Sequence, residues 1–395
     1  MPASPSTARA INDRLALRLL QQEGPLTAGR LKQLTGLSRP TVADLVERLS
    51  AAGLIDVVGE SGEQRRGPNA RLYGIVADRA YLAALDVRTE GVTVVIADLL
   101  GRELGRASLP IADDTGTGPA VEQAVALVER AAKEAGADPL HTVAIGAPGL
   151  IDPATGELRD SSGLPEWHRR LVAALGERLP ARLIVENETN LAALAEQRDG
   201  AAQAGDTFVL LWLGLGTGAA VVLDGRLRRG ASGGTGEIGF LPVPGTATLP
   251  SATDCAGGFH SLGGDAAVVA LAGEFGLVEE GRGAGVRAAT LVRRAVGEEP
   301  AEASRFLDAL ADRLTVGVAS VVAVLDPGCV VLGGEVGQAG GAALAARVGE
   351  RLGRMSPLPT EVRASALGGD AVVRGALLMA REAAQDELFG SPSVR

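Results

Sequence analysis

The sequence predicts an α/β protein in two parts, an N-terminal winged helix-turn-helix and a larger two-lobed body. Three observations predict it. Residues 1–75 hold three short amphipathic segments separated by turn and cap residues, then two strand-like runs around a polar loop. From Ala80 onward, apolar strand-like runs alternate with helical stretches, as in an α/β domain. Glycine-rich loops then recur in both halves of the body, which suggests two lobes facing a cleft where a ligand would bind. The expected divisions are 1–78 for the winged helix, 79–195 for the first lobe and 196–395 for the second. The C-terminal helix is free to return to the first lobe.

In the head, Ile11, Leu15 and Leu19 recur at helical spacing and mark one face of a first helix. Thr27 can cap a second, short helix containing Leu31 and Leu34. Gly36 can supply the positive φ of the turn that follows. Ser38 is the expected N-cap of a third helix, with Pro40 in its first turn, where a missing N–H costs nothing. Val42, Leu45, Val46 and Leu49 form its core stripe; Arg39, Thr41, Asp44 and Arg48 lie on the other face, and Gly53 ends it. LIDVVG and RLYGIV read as strands joined by the loop ESGEQRRGPNA.

A winged helix of this kind places the N-terminal residues of its third helix in the major groove of double-stranded DNA. Ser38, Arg39 and Thr41 stand there, Arg39 and Thr41 as candidate base readers. Lys32, Arg65 and Arg66 are candidate phosphate contacts, the two arginines from the wing. The alternative is a winged helix used for protein contacts. Charge leans toward DNA: residues 1–75 carry ten basic and seven acidic side chains, while the whole chain has a net charge of −10.

In the body, YLAALDV, VTVVIADLL and GRASLPI read as successive strands, followed by a helix over about 118–135. HTVAIGAPG is a strand ending in a Gly/Pro loop. After a helix near 167–178, RLIVE is a strand and TNLAALAEQ a helix. DTFVLLWLG and GAAVVLDG are strands joined by LGLGTG, and a helix at about 303–325 leads into the strand CVVLGGEV. With 46% hydrophobic and 22% charged residues, the chain can bury a sizeable core. No apolar run is long enough to span a bilayer. The N-terminus lacks an apolar signal core, and Cys255 and Cys329 imply no disulfide framework, so a cytoplasmic protein is expected.

The stretch VENETNLAALAE, residues 185–196, sets two carboxylates and two amides at the mouth of a helix. They can act as a catalytic base, as a grip on ligand hydroxyls, or as a helix cap. Taken together, the winged helix, the ALDV strand, APG, VENETNLAALAE, GLGTGAAVVLDGRLRRGASGGTGEIG and VVLGGEV resemble the ROK family of sugar-responsive repressors and sugar kinases. The resemblance covers about residues 9–385. It implies a ribonuclease-H-like, actin/sugar-kinase architecture for the body. Members with a winged helix resemble xylose and N-acetylglucosamine repressors.

The resemblance also implies a sugar site at Asn187, Glu188 and Glu237, the last within GEIGF. Family kinases use an Asn-Asp carboxylate as base; the pair here is Asn187-Glu188, one methylene longer, and a misplacement of about 1 Å can cost a hundredfold. The family's zinc site uses a histidine where Phe240 stands and three cysteines where Cys255 remains with Asp254 and His260 nearby. No metal is therefore expected. The family's D-x-G-G-T phosphate loop reads Asp86-Val87-Arg88-Thr89-Glu90, without either glycine, while Gly214–Gly218 and Gly333-Gly334 are kept. No catalytic residue and no cofactor are expected. The expectation is a homodimeric or homotetrameric DNA-binding regulator, a repressor of operator DNA with a sugar or sugar derivative as effector and no membrane partner. The alternatives are a sugar kinase with an added head and a regulator whose effector site has decayed.

Overall fold

The computed structural model describes residues 5–61, 70–112, 114–158, 166–203, 205–277, 287–297 and 301–389. The head runs α1 (Pro5–Glu23), β1 (Leu26–Thr27), α2 (Ala28–Thr35), α3 (Arg39–Ala51), β2 (Ile55–Ser61) and β3 (Ala70–Ile75). Its sheet has the order β1-β3-β2, with antiparallel pairing. Thr27 caps α2, its hydroxyl accepting the Arg30 N–H at 3.1 Å. Ser38 caps α3 in the same way through the Thr41 N–H at 3.3 Å. Each such cap is worth about 1 kcal/mol. Gly36, at φ 69°, takes the left-handed conformation that ends α2.

The core stripe of α3 is buried as its spacing requires: Val42, Leu45, Val46 and Leu49 all face inward. The stripe on α1 is different. Ile11 and Leu15 are 58% and 40% exposed; Ala16, Leu17 and Leu20 are buried in the head core, and Leu19 packs partly buried against it. Two apolar stripes share this helix. Burial follows the one that faces α2 and α3, which spacing alone does not distinguish. Arg48 is also turned away from the open face of α3, paired with Asp13 on α1 and with Asp44.

The first lobe comprises β4 (Tyr81–Arg88), β5 (Gly91–Asp98), β6 (Glu103–Pro110), α4 (Thr117–Glu134), β7 (Thr142–Ala147), α5 (Trp167–Arg178), β8 (Arg182–Asn187) and α6 (Glu188–Asp199). The second comprises β9 (Phe208–Leu213), β10 (Thr217–Leu223), β11 (Arg226–Arg228), α7 (His260–Gly263), α8 (Asp265–Glu274), α9 (Ala288–Gly297), α10 (Ala301–Leu325), β12 (Cys329–Gly333), α11 (Gly334–Met355), β13 (Glu361–Ala364) and α12 (Ala371–Phe389). The sheets share one plan. The orders β6-β5-β4-β7-β8 and β11-β10-β9-β12-β13 each place three antiparallel strands beside two parallel ones.

Strand alternation splits each sheet between two cores. Leu82 and Ala84 of β4 face a central cluster, while Ala83, Leu85 and Val87 face α4 and α5. Phe208, Leu210 and Trp212 of β9 face the same central cluster, and Val209, Leu211 and Leu213 face the helices of the second lobe. The central cluster holds α6 and α12, and both cross between lobes. α6 follows the last strand of the first sheet and reaches β9 and β10. α12 follows the last strand of the second sheet and lies on β4 and β7. Gly375 allows the crossing, because a Cβ there would collide with the Leu191 carbonyl. The break expected after residue 195 thus falls inside α6, which continues to Asp199. α12 also reaches the head: Phe389 is buried in the cluster with Leu17 and Leu20, and Arg14 of α1 pairs with Asp386.

Candidate functional site

A cleft of about 890 Å³ opens between the lobes. Its walls come from the β4–β5 turn, the loop after β7, the start of α6, the β9–β10 turn, residues 233–240 and the start of α11. The four polar residues at the mouth of α6 divide their tasks. Glu186 is buried; one oxygen accepts the Asn187 N–H at 3.0 Å and the Asn190 side-chain amide at 2.9 Å, and the other accepts Arg229 Nε from the second lobe at 2.7 Å.

Asn187 is the helix cap. Its Oδ1 accepts the N–H groups of Thr189 and Asn190 at 2.9 and 3.3 Å, and its Nδ2 donates to the Gly149 carbonyl at 3.0 Å and to Glu188 at 2.8 Å. Asn187 lines the cleft, and its amide makes these four hydrogen bonds there. Glu188 lines the cleft beside Asn187 and Asn190. Burial pushes its carboxyl up to about 8; Asp86 and Glu237 push the same way, and Arg88 pulls back. When protonated, such a carboxyl can donate a hydrogen bond as well as accept one.

Glu237 faces Glu188 from the second lobe. It follows Gly236, which sits at φ 90° with its Cα against the Ala219 carbonyl, where a side chain would collide. That close approach fixes the loop carrying Glu237 to β10, through the Ala219 N–H bonded to the Gly236 carbonyl at 2.7 Å. The carboxyl opens to the cleft, and the protein around it raises its pKa. Glu188 and Glu237 thus offer hydroxyl-binding groups from opposite walls.

The place of the first phosphate loop is filled from within. Arg88 donates to Asp86 at 3.0 Å, pairs with Glu335 at the start of α11, and lies over Trp212 with its guanidinium carbon 5.7 Å from the ring centroid. Asp86, buried beneath it, is pushed up by loss of solvent and held down in part by Arg88. Glu90 pairs with Arg287 at 2.7 Å. Ion pairs from Arg88, Glu90 and Glu186 therefore join the two lobes. Sequence reading noted the loss of both glycines at Arg88 and Thr89 but missed Trp212, Glu335, Arg287 and Arg229. The carboxylate directly after Gly333-Gly334 was the available clue.

The zinc that the resemblance implies does not fit the residues present. Phe240 occupies the histidine position, burial raises the Cys255 thiol, and Asp254 binds the Ala256 N–H of its own loop at 2.9 Å. Among the described residues no three His, Cys, Asp or Glu side chains converge as a metal needs.

In the head, Ser38 and Arg39 are exposed at the N-terminus of α3, with Thr41 half-buried and its hydroxyl 2.8 Å from that of Ser38. Lys32 is exposed on α2. Arg65 and Arg66 lie outside the described residues. No helix among the described residues is long and apolar enough to cross a membrane.

Comparison with known proteins agrees with this architecture. The ROK family pattern matches residues 83–383, and that of the MarR family matches residues 11–67. The N-acetylglucosamine repressor of Escherichia coli O157:H7 is 27% identical over 243 residues, which is 60% of this chain and 58% of the repressor. The chain thus spans under two thirds of that relative's length. A solved ROK family transcriptional regulator, a homologue of the E. coli MLC protein, superimposes with a TM-score of 0.77 at 20% identity, over 97% of this chain and 98% of its own. The ROK hexokinase of Thermus thermophilus gives a TM-score of 0.61 at 28% identity, over 78% of this chain and 99% of its own.

Proposed function

The chain belongs to the ROK family, and from that premise we propose that it is a cytoplasmic, DNA-binding transcriptional regulator, a repressor whose body senses a sugar or sugar derivative. The observation that carries the reading is the pairing of an open recognition helix with a closed nucleotide half. Ser38 and Arg39 are exposed at the start of α3, while Arg88, Asp86 and Glu335 fill the cleft where a polyphosphate would need room. The similarity to a repressor over 243 residues and the MarR-family match over the head support the same choice.

In this reading Arg39 and Thr41 contact bases, and Ser38, Lys32, Arg65 and Arg66 contact the phosphate backbone. Glu188 and Glu237 hold ligand hydroxyls from the two lobes, with Asn187 orienting Glu188. A ligand that bridges both walls favours one lobe spacing over another. That difference moves the heads of a homodimer or homotetramer relative to two half-sites. No catalytic step and no cofactor is assigned.

Retardation of the DNA upstream of the chain's own gene tests this. The wild type should bind with a steep salt dependence, Arg39→Ala should weaken binding about tenfold or more, and one member of a hexose and amino-sugar panel should release it. Failure to retard that DNA with or without sugars argues against the reading. The rival is a sugar kinase, favoured by the intact Gly214–Gly218 turn and the hexokinase likeness. ADP release with any of the same sugars, lost in Glu188→Gln, would establish it instead.

A further inference from the structure

We propose that Arg88 and Glu335 form a built-in plug that determines the ligand specificity of the cleft, by occupying the anion-binding half between the β9–β10 turn and the start of α11. The proposal deepens the receptor reading above and rests on it. It begins with what that half of the cleft would offer if empty. Gly216 and Gly218 bring bare backbone to the cleft wall, with Gly214 just behind them. α11 starts beside them with its N-terminus toward the cleft, and the first N–H groups of a helix attract anions. Gly334 takes φ 74° so that α11 can start hard against the Leu213 carbonyl.

The structure places a protein carboxylate in that position. Glu335 stands in the first turn of α11 with its carboxyl group pressed against Gly214, so close that even a Cβ at Gly214 would collide with it. The anion is therefore supplied by the chain itself. Its charge is met by Arg88 from the opposite lobe, which is further fixed by Asp86 below and by the face of Trp212 beside it. A guanidinium held at three points is a rigid block. An incoming polyphosphate would have to displace Glu335, break the Arg88–Asp86 pair and face both freed carboxylates. The second half of the cleft, around Glu188, Glu237 and Thr217, stays open to a small polyhydroxy ligand without phosphate. The Glu90–Arg287 and Glu186–Arg229 pairs do not involve the plug, so they continue to join the lobes when it is removed.

The experiment is calorimetric titration of the full chain with MgATP and, separately, with magnesium tripolyphosphate. The wild type should bind neither at millimolar concentration. The double variant Arg88→Gly/Glu335→Ser, its fold checked by thermal melting, should bind both at least about tenfold more tightly than the wild type, a difference of about 1.4 kcal/mol. Binding of either probe by the wild type as tightly as by the double variant would overturn the proposal, and so would a folded double variant that gains nothing. Should the double variant fail to fold, Glu335→Gln alone keeps the shape and breaks the ion pair. It should gain MgATP affinity about threefold and alter the emission of Trp212 as Arg88 moves; no gain in affinity overturns the proposal. DNA retardation by the same preparations reports the regulator reading separately, so either can fail without the other.

Discussion

The two lobes carry the same hairpin in the same place and use it in opposite ways. In each sheet the first two strands turn back at the cleft wall, at Arg88–Gly91 in the first lobe and Leu213–Thr217 in the second. The second turn keeps its glycines, and its own residues carry no charge into the cleft. The first carries Arg88 and Thr89 at the two glycine positions of the motif it resembles, and its Arg88 and Glu90 are each paired with the other lobe. A shared strand order therefore does not carry a shared task. The fold needs a turn at both places, and whether backbone or charged side chains face the ligand is decided residue by residue.

The contrast can be broken most forcefully at its backbone. Gly334→Ala would push a Cβ into the Leu213 carbonyl at a positive φ, and should cost about 3 kcal/mol or more. Gly216→Ala meets open space and should stay within about 0.5 kcal/mol. Denaturant midpoints at constant slope measure both. If the two changes cost the same, the glycines of the second lobe are not divided between structural and merely permissive positions.

A smaller effect comes from Glu188, between the two turns. Its folded-state pKa, about 8, lies above its ordinary value of 4.5, so the native state binds the extra proton between those values. Stability from this group is complete below about pH 4.5 and is lost as pH rises through about 8, a fall on the order of 2 kcal/mol after allowance for solvent in the open cleft. Glu188→Gln should flatten that part of the stability–pH curve. An unchanged slope would mean that Glu188 is ionised in the native protein.

The smallest effect belongs to the exposed pair. Glu90 and Arg287 are each about half exposed, and a double-mutant cycle with alanine should return less than about 1 kcal/mol, shrinking with added salt. A larger coupling would mean that the first turn clamps the lobes through its rim as well as through Arg88.

The sequence made the head legible because its signals are local. Thr27, Gly36, Ser38 and Pro40 act on the backbone within a few residues, so caps and turns could be placed from spacing alone. The alternating strands of the body were legible for the same reason. At the opening quartet, the residue types narrowed the choice to base, grip or cap, and the fold assigned the tasks: Asn187 to the cap, Glu186 and Asn190 to each other, Glu188 to the cleft.

What the chain alone determined were the elements, their order and the residues lost from each inherited position, because these depend on neighbours in sequence. Only the tertiary structure decided which α1 stripe is buried, that α6 and α12 exchange lobes, and that Arg88 meets Glu335, 247 residues away. An ion pair across a cleft depends on how two sheets are held relative to each other. That spacing is fixed by the packing of the whole central cluster, and it leaves no mark in the local pattern of either partner.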